Sequence, residues 1–169
     1  LQGYAIYTPN TPALRATAPD TQMRLPVGLV GGGLAEGFEA LKRTVDEVLL
    51  DNALELIDWV RDVGATESAG TLLSPSVPRA KRVLKFTDRF MASSRNALTA
   101  YDASEGALYV LFAAVLCLSP QSPSVFAIDN LDSALNPRLV ARLVSQLGPW
   151  LKAADKDRQI LFTAHSPTV

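Results

Sequence analysis

Cysteine is nearly absent: Cys117 is the only one in 169 residues. An internal disulfide and a cysteine-based zinc site are therefore excluded, and the composition fits the reducing cytosol. A cytoplasmic location is the expectation. Excess charge of either sign is also lacking, since sixteen Lys and Arg against seventeen Asp and Glu leave a net charge of −1. That balance argues against a strongly basic nucleic-acid surface on this stretch. Long hydrophobic runs are missing too. The longest, Ala107 to Leu118, covers about a dozen residues, and a membrane helix needs about twenty. No membrane partner is expected, and no signal peptide, internal repeat or low-complexity tract is visible.

What remains is the composition of a globular domain, 48% hydrophobic and 20% charged, with length enough to bury a core. The chain starts at Leu1 without a methionine and stops at "TAHSPTV", so a piece of a longer protein is expected. "GYAIY" (3–7) reads as a short strand. From Leu34 the spacing of Leu34, Phe38, Leu41, Val45 and Val48 lays one apolar stripe along a helix. A second helix, "ALELIDWVRDV", is predicted with Asp51 or Asn52 as its cap and Gly64 as its end. "ATESAGTLLSPSVPRAKR" reads as a polar loop or linker. "RVLKFTDRF" and "NALTAYDAS" alternate apolar and polar residues around "MASSR", the pattern of a hairpin. Beyond it the sequence predicts a helix from about Gly106 to Leu118, a strand at 124–129, a helix from Pro137 to Leu151 and a strand at "QILFT".

Four short signals lie on the boundaries of these elements: "ASEGAL" (103–108), "VFAID" (125–129), "DSALNP" (132–137) and "FTAHSP" (162–167). Each alone is unspecific; a Ser-x-Gly before a helix is most often only a cap. Their order and placement fit a nucleotide. Ser104 to Gly106 open a helix whose free N–H groups and positive dipole end attract a phosphate. Asp129 ends a strand where one carboxylate can hold a water-coordinated Mg²⁺. His165, the sole histidine, ends another strand within reach of a terminal phosphate or an attacking water.

The combination resembles the C-terminal half of an ABC-type ATPase head, as in the RecF/SMC-like and overcoming-lysogenization-defect-like bacterial AAA family ATPases. The likeness is strongest from Val83 to Val169. Upstream, "NTPALR" (10–15) and "VGGGLAEGFEAL" (30–41) look like the segment those proteins carry before their signature motif. The resemblance implies an α/β P-loop NTPase fold of ABC type: signature helix, Walker B strand, D-loop and switch strand, with a helical insert upstream. Residues 1–81 would form a helical, loop-rich lobe and residues 82–169 the core. By the same resemblance Ser104, Glu105 and Gly106 form the signature that touches ATP on the opposite subunit, and Asp129 holds magnesium. Ser133, Ala134 and Asn136 belong to the D-loop, and His165 senses the γ-phosphate. The implied cofactors are ATP and Mg²⁺. The implied partners are a second copy of the head, sandwiching ATP, and an effector subunit or domain, in settings such as bacterial DNA repair or anti-phage defence.

Two departures bear on activity. No G-x-x-x-x-G-K-[ST] phosphate loop occurs: Gly28 and Gly33 have its internal spacing, but Leu34 and Ala35 follow. Such a loop is expected upstream of Leu1. The second departure is Asn130, which stands where the family carries a glutamate. An amide cannot take a proton from water, although it can position one. Asp132 is the nearest spare carboxylate, and a loop or cap role is the simpler reading of it. Two readings therefore stay open: a slow ATPase with Asn130 and His165 at the reacting centre, or an ATP-binding scaffold that has lost hydrolysis through Asn130.

Overall fold

A computed structural model describes residues 3–67, 81–154 and 157–165 of the chain. In chain order the elements are β1 (Tyr4–Tyr7), α1 (Thr11–Leu14), α2 (Leu34–Lys42), α3 (Glu47–Leu54), β2 (Val60–Glu67), β3 (Arg82–Asp88), β4 (Ala97–Thr99), α4 (Glu105–Leu118), β5 (Val125–Ile128), α5 (Pro137–Ala154) and β6 (Gln159–Phe162). The longest apolar run of the sequence becomes α4, and every residue from Ala107 to Leu118 is buried. A helix apolar on all sides has to be a core helix. Here α1, α2, α3 and α5 all pack against it. None of the helices among the described residues is long and apolar enough to cross a membrane.

The strands form two sheets. β1, β5 and β6 make a parallel sheet in the order β1-β5-β6, with Tyr7 beside Ile128 and Ile128 beside Phe162. α5 supplies the crossover between β5 and β6, an ordinary βαβ unit. Its buried residues Val140, Leu143, Leu147 and Trp150 follow helical spacing, and the Asn136 side chain accepts from Leu139 N–H at 2.9 Å to cap its start. On the inner face of this sheet the Tyr7 ring meets Phe112 of α4 and Phe126 of β5 edge-on. Tyr7 also donates its hydroxyl to the Leu25 carbonyl at 3.0 Å. β2, β3 and β4 form the second sheet, antiparallel throughout, which packs on α2 and α3. The hairpin expected around "MASSR" is β3–β4, and the expected helices at Gly106 and Pro137 and strands at 3–7, 124–129 and 159–163 all form.

One stretch departs from expectation. The stripe that opens at Leu34 ends at Lys42, and Asp46 caps a separate α3 by accepting from Val48 N–H at 2.8 Å. Val48, 65% exposed, is not part of the apolar face. The helix predicted over "ALELIDWVRDV" does not form: residues 53–54 finish α3, and from Val60 the chain is the strand β2, with Gly64 paired to Lys85 inside it. A register irregularity between Val60 and Asp62 explains the misreading. The extra residue turns both Val60 and Val63 inward, so a bulged strand shows the three-residue spacing of a helix. β1 and β2 lie before position 81, yet they pair with β5 and β3 beyond it. Part of the polar stretch 65–82, residues 68–80, lies outside the described residues.

Candidate functional site

The parallel sheet delivers Asp129, Asn130, Thr163 and His165 to one edge, just past the C-terminal ends of β5 and β6. Ligands of open α/β sheets bind at such ends. Hydrogen bonds lock the two strand ends together. Thr163 N–H donates to Ile128 O at 3.1 Å, and Leu131 N–H donates to Thr163 O at 3.0 Å. Asn130 N–H donates to Thr163 Oγ1 at 2.8 Å, and that hydroxyl donates in turn to Asp129 Oδ1. Asp129 N–H reaches across to Tyr7 O at 2.8 Å, so the neighbouring strand β1 also holds it.

Asn130 is one of two non-glycine residues with positive φ among the described residues, at +54°. Asparagine enters this left-handed region more readily than glutamate, because its short side chain can bond locally. The sharp turn lets Ser133 N–H return to Asn130 O at 3.1 Å, and Leu135 N–H to Asp132 O at 3.0 Å. Asp132 is the loop residue expected, and more: its Oδ2 accepts from His165 N–H at 2.9 Å, tying the loop after β5 to the segment after β6. His165 is exposed, and residues 166–169, the remainder of "TAHSPTV", lie outside the described residues.

Ser104 and Gly106 sit at the start of α4. The Ser104 hydroxyl accepts from Ala107 N–H at 3.3 Å, the ordinary capping bond, and both Ser104 and Glu105 are exposed. Gly106 is glycine because another segment comes close. A Cβ there would stand 3.3 Å from Ala134 O and 3.4 Å from the Leu135 and Leu139 side chains. The start of α4 and the loop 132–136 are thus packed on each other. Ser133 and Asn136 are exposed at that seam, although Asn136 spends its side-chain carbonyl on the cap of α5. Arg15 steadies the approach to Ser104 by donating to Ala103 O at 3.2 Å, and Asp102 braces the turn by accepting from both N–H and hydroxyl of Thr99.

The glycine-rich stretch 28–33 does cradle an anion, but one from its own chain. Val30 N–H and Gly32 N–H donate to Asp20 Oδ2 at 3.2 and 3.3 Å, and a Cβ on Gly28 would collide with the same carboxylate. That loop is a structural turn and not a phosphate cradle. Among the described residues no group of three or more His, Cys, Asp or Glu could hold a metal ion as a protein cage. A lone strand-end carboxylate such as Asp129 suits Mg²⁺, which keeps several waters and takes phosphate oxygens as further ligands.

Thr163 is the residue that reading the sequence passed over. It lies inside "FTAHSP", and its signal is position alone: a hydroxyl at the end of a strand parallel to the one bearing the acidic residue. A family model described as "AAA domain, putative AbiEii toxin, Type IV TA system" matches residues 35–169. No curated protein matches the chain.

Proposed function

We propose, from the premise that this chain belongs to the AAA-domain family matched over residues 35–169, that it is the C-terminal half of an ABC-type ATP-binding head. The family is one of P-loop ATPases related to RecF, SMC and ABC-type ATPases, and membership implies nucleotide binding. The mixed α/β fold with its parallel sheet agrees with such a domain. The observation that carries the finer reading is the strand-end cluster, where Thr163 joins Asp129 to Asn130 and Asp132 joins the same loop to His165.

In this reading Asp129 would hold Mg²⁺, and the ion would supply neutralisation of the charge on the phosphates of ATP. His165 stands at the γ-phosphate, and Asn130 orients water without taking its proton. Ser104, Glu105 and Gly106, packed on the loop of Ser133, Ala134 and Asn136, present one continuous seam to the nucleotide of a second head. Two heads close around ATP, turnover is slow, and occupancy of the site controls an effector, as in DNA repair or anti-phage defence. The left-handed backbone at Asn130 favours the amide there on structural grounds, and so lends weight to the companion reading of an ATP-holding module without hydrolysis.

The test uses the full-length protein and a fluorescent ATP analogue. Asp129→Asn should weaken Mg²⁺-dependent binding at least tenfold. Ser104→Arg should reduce ATP-dependent dimerisation while leaving binding by the monomer within about twofold. Loss of dimerisation and monomer binding together in Ser104→Arg would show that the start of α4 acts within its own chain.

A further inference from the structure

We propose that Thr163 is a positioning residue for the cation ligand: its hydroxyl fixes which oxygen of Asp129 faces the nucleotide. This rests on the reading of Asp129 as the Mg²⁺ ligand and adds a residue to it. A strand-end aspartate has two free torsions and two equivalent oxygens, so a carboxylate left alone samples several orientations. Thr163 removes that freedom. Its Oγ1 donates to Asp129 Oδ1 and accepts from Asn130 N–H at 2.8 Å. The backbone N–H of Asn130 can only donate and the ionised carboxylate can only accept, so the direction of both bonds is fixed. Oδ1 is therefore held by the protein, and Oδ2 is the oxygen turned to a cation.

The backbone makes this arrangement stiff. Thr163 N–H and C=O are both tied to the strand opposite, to Ile128 O at 3.1 Å and Leu131 N–H at 3.0 Å. The side chain is thus carried on a fixed rail, and its branched Cβ restricts χ1 further. The same hydroxyl also supports the left-handed turn at Asn130, whose φ is +54°. One residue sets both the carboxylate and the amide that follows it. Partners of this kind, which bond a ligand side chain without touching the metal, typically account for ten- to a hundredfold in metal affinity.

The experiment titrates Mg²⁺ into the full-length protein at fixed fluorescent ATP analogue, with EDTA for the metal-free baseline, and compares wild type, Thr163→Val, Thr163→Ala, Thr163→Ser and Asp129→Asn. Thr163→Val and Thr163→Ala should raise the half-saturating Mg²⁺ concentration by about ten- to a hundredfold. Thr163→Ser, which keeps the hydroxyl, should restore it to within about threefold, and analogue affinity in EDTA should be the same in all. Amide hydrogen exchange at Asn130 should quicken in the Val and Ala variants only. If Asp129→Asn abolishes the Mg²⁺ dependence while Thr163→Val and Thr163→Ala titrate like wild type, the role given to Thr163 is wrong and that of Asp129 stands. If Asp129→Asn leaves the dependence intact, the assignment of Asp129 falls and takes the proposal with it. Failure of Thr163→Ser to rescue would reduce Thr163 to a packing residue.

Discussion

The two sheets of this chain reach a similar half-burial through different sequences. In the antiparallel sheet β3 faces α2, buries Leu84 and Phe86 on one side and leaves Lys85 between them in solvent, with Val83 at the strand's start the buried exception on the Lys85 side. Such a sheet can face water on one side, and its alternation advertises the fact. The parallel sheet reads as near-continuous apolar runs, "YAIY", "VFAI" and "QILF". One face, with Tyr7, Phe126 and Ile128, is fully buried. The other aligns Ile6, Ala127 and Leu161 in one row, with Ile6 51% and Leu161 55% exposed. All-parallel sheets are normally covered on both faces. The candidate strand-end residues all lie at the end of the parallel sheet, while the antiparallel one is joined to Ser104 by the turn that follows β4.

The sharpest way to break that comparison is to cut a residue from each face of the parallel sheet. Phe126→Ala removes a ring that packs against Tyr7 and should cost about 3–5 kcal/mol in urea unfolding of the 169-residue chain. Leu161→Ala on the open face should cost under about 1 kcal/mol. Equal losses would mean that the outer face is covered in solution, and the contrast between the two faces of the parallel sheet would disappear.

Asn130→Glu separates chemistry from backbone at the end of β5. General-base catalysis is typically worth 10²–10⁴-fold, so steady-state ATP turnover of the full-length protein should rise toward that range. The left-handed φ of +54° at this position predicts an opposite effect on stability, a loss of about 1–2 kcal/mol. Asn130→Gly should show neither the gain in rate nor the loss in stability. An unchanged rate in Asn130→Glu, with Asp132→Asn abolishing turnover, would transfer the role of base to Asp132.

On the antiparallel side the effect should be smaller. Ser104→Ala removes the bond to Ala107 N–H and should destabilise α4 by about 1 kcal/mol. Gly106→Ala places a methyl group 3.3 Å from Ala134 O and should loosen the seam between α4 and the loop 132–136, read as faster amide exchange at Leu135. If Gly106→Ala leaves that exchange unchanged, the two segments are not mutually braced.

How much of this could be read beforehand depends on whether a signal was local. The run from Ala107 to Leu118 permits only a buried helix, and Pro137 after Asn136 fixes the start of α5 by elementary capping; both were legible. Asp129 was legible because an acidic residue ends an apolar strand. The strand β2 was not, since the bulge after Val60 exists only through the pairing of Val60 with Asp88 and of Asp62 with Thr87, far along the chain. Thr163 escaped notice because its role is set across strands: Asp129 and Asn130 meet it only when β5 and β6 lie side by side. Nor could residues 28–33 be known to bind Asp20 before the fold brought the carboxylate to them.

The smallest effect at neutral pH, none at all, should come from two buried acids beside the parallel sheet. Burial pushes the Cys117 thiol up to about 12, only partly opposed by the nearby Arg158, and pushes the Tyr7 hydroxyl up to about 12 against a smaller pull from Arg24. In the unfolded chain the two ionise near their ordinary values of 9.0 and 10.0. Below pH 9 both are neutral folded or unfolded, so neither alters stability with pH. Above it the unfolded chain gives up protons that the folded chain keeps, and stability must fall as pH rises toward 12. The fall should begin with Cys117 near pH 9 and steepen past pH 10 with Tyr7, each group contributing up to about 1.4 kcal/mol per pH unit. Urea midpoints measured from pH 7 to 11 should therefore be flat and then decline. Cys117→Ala should postpone the decline by about one unit, and Tyr7→Phe should remove the later steepening. A decline in the wild type that Cys117→Ala leaves unmoved would mean that the thiol is not sealed inside α4 as its full burial requires.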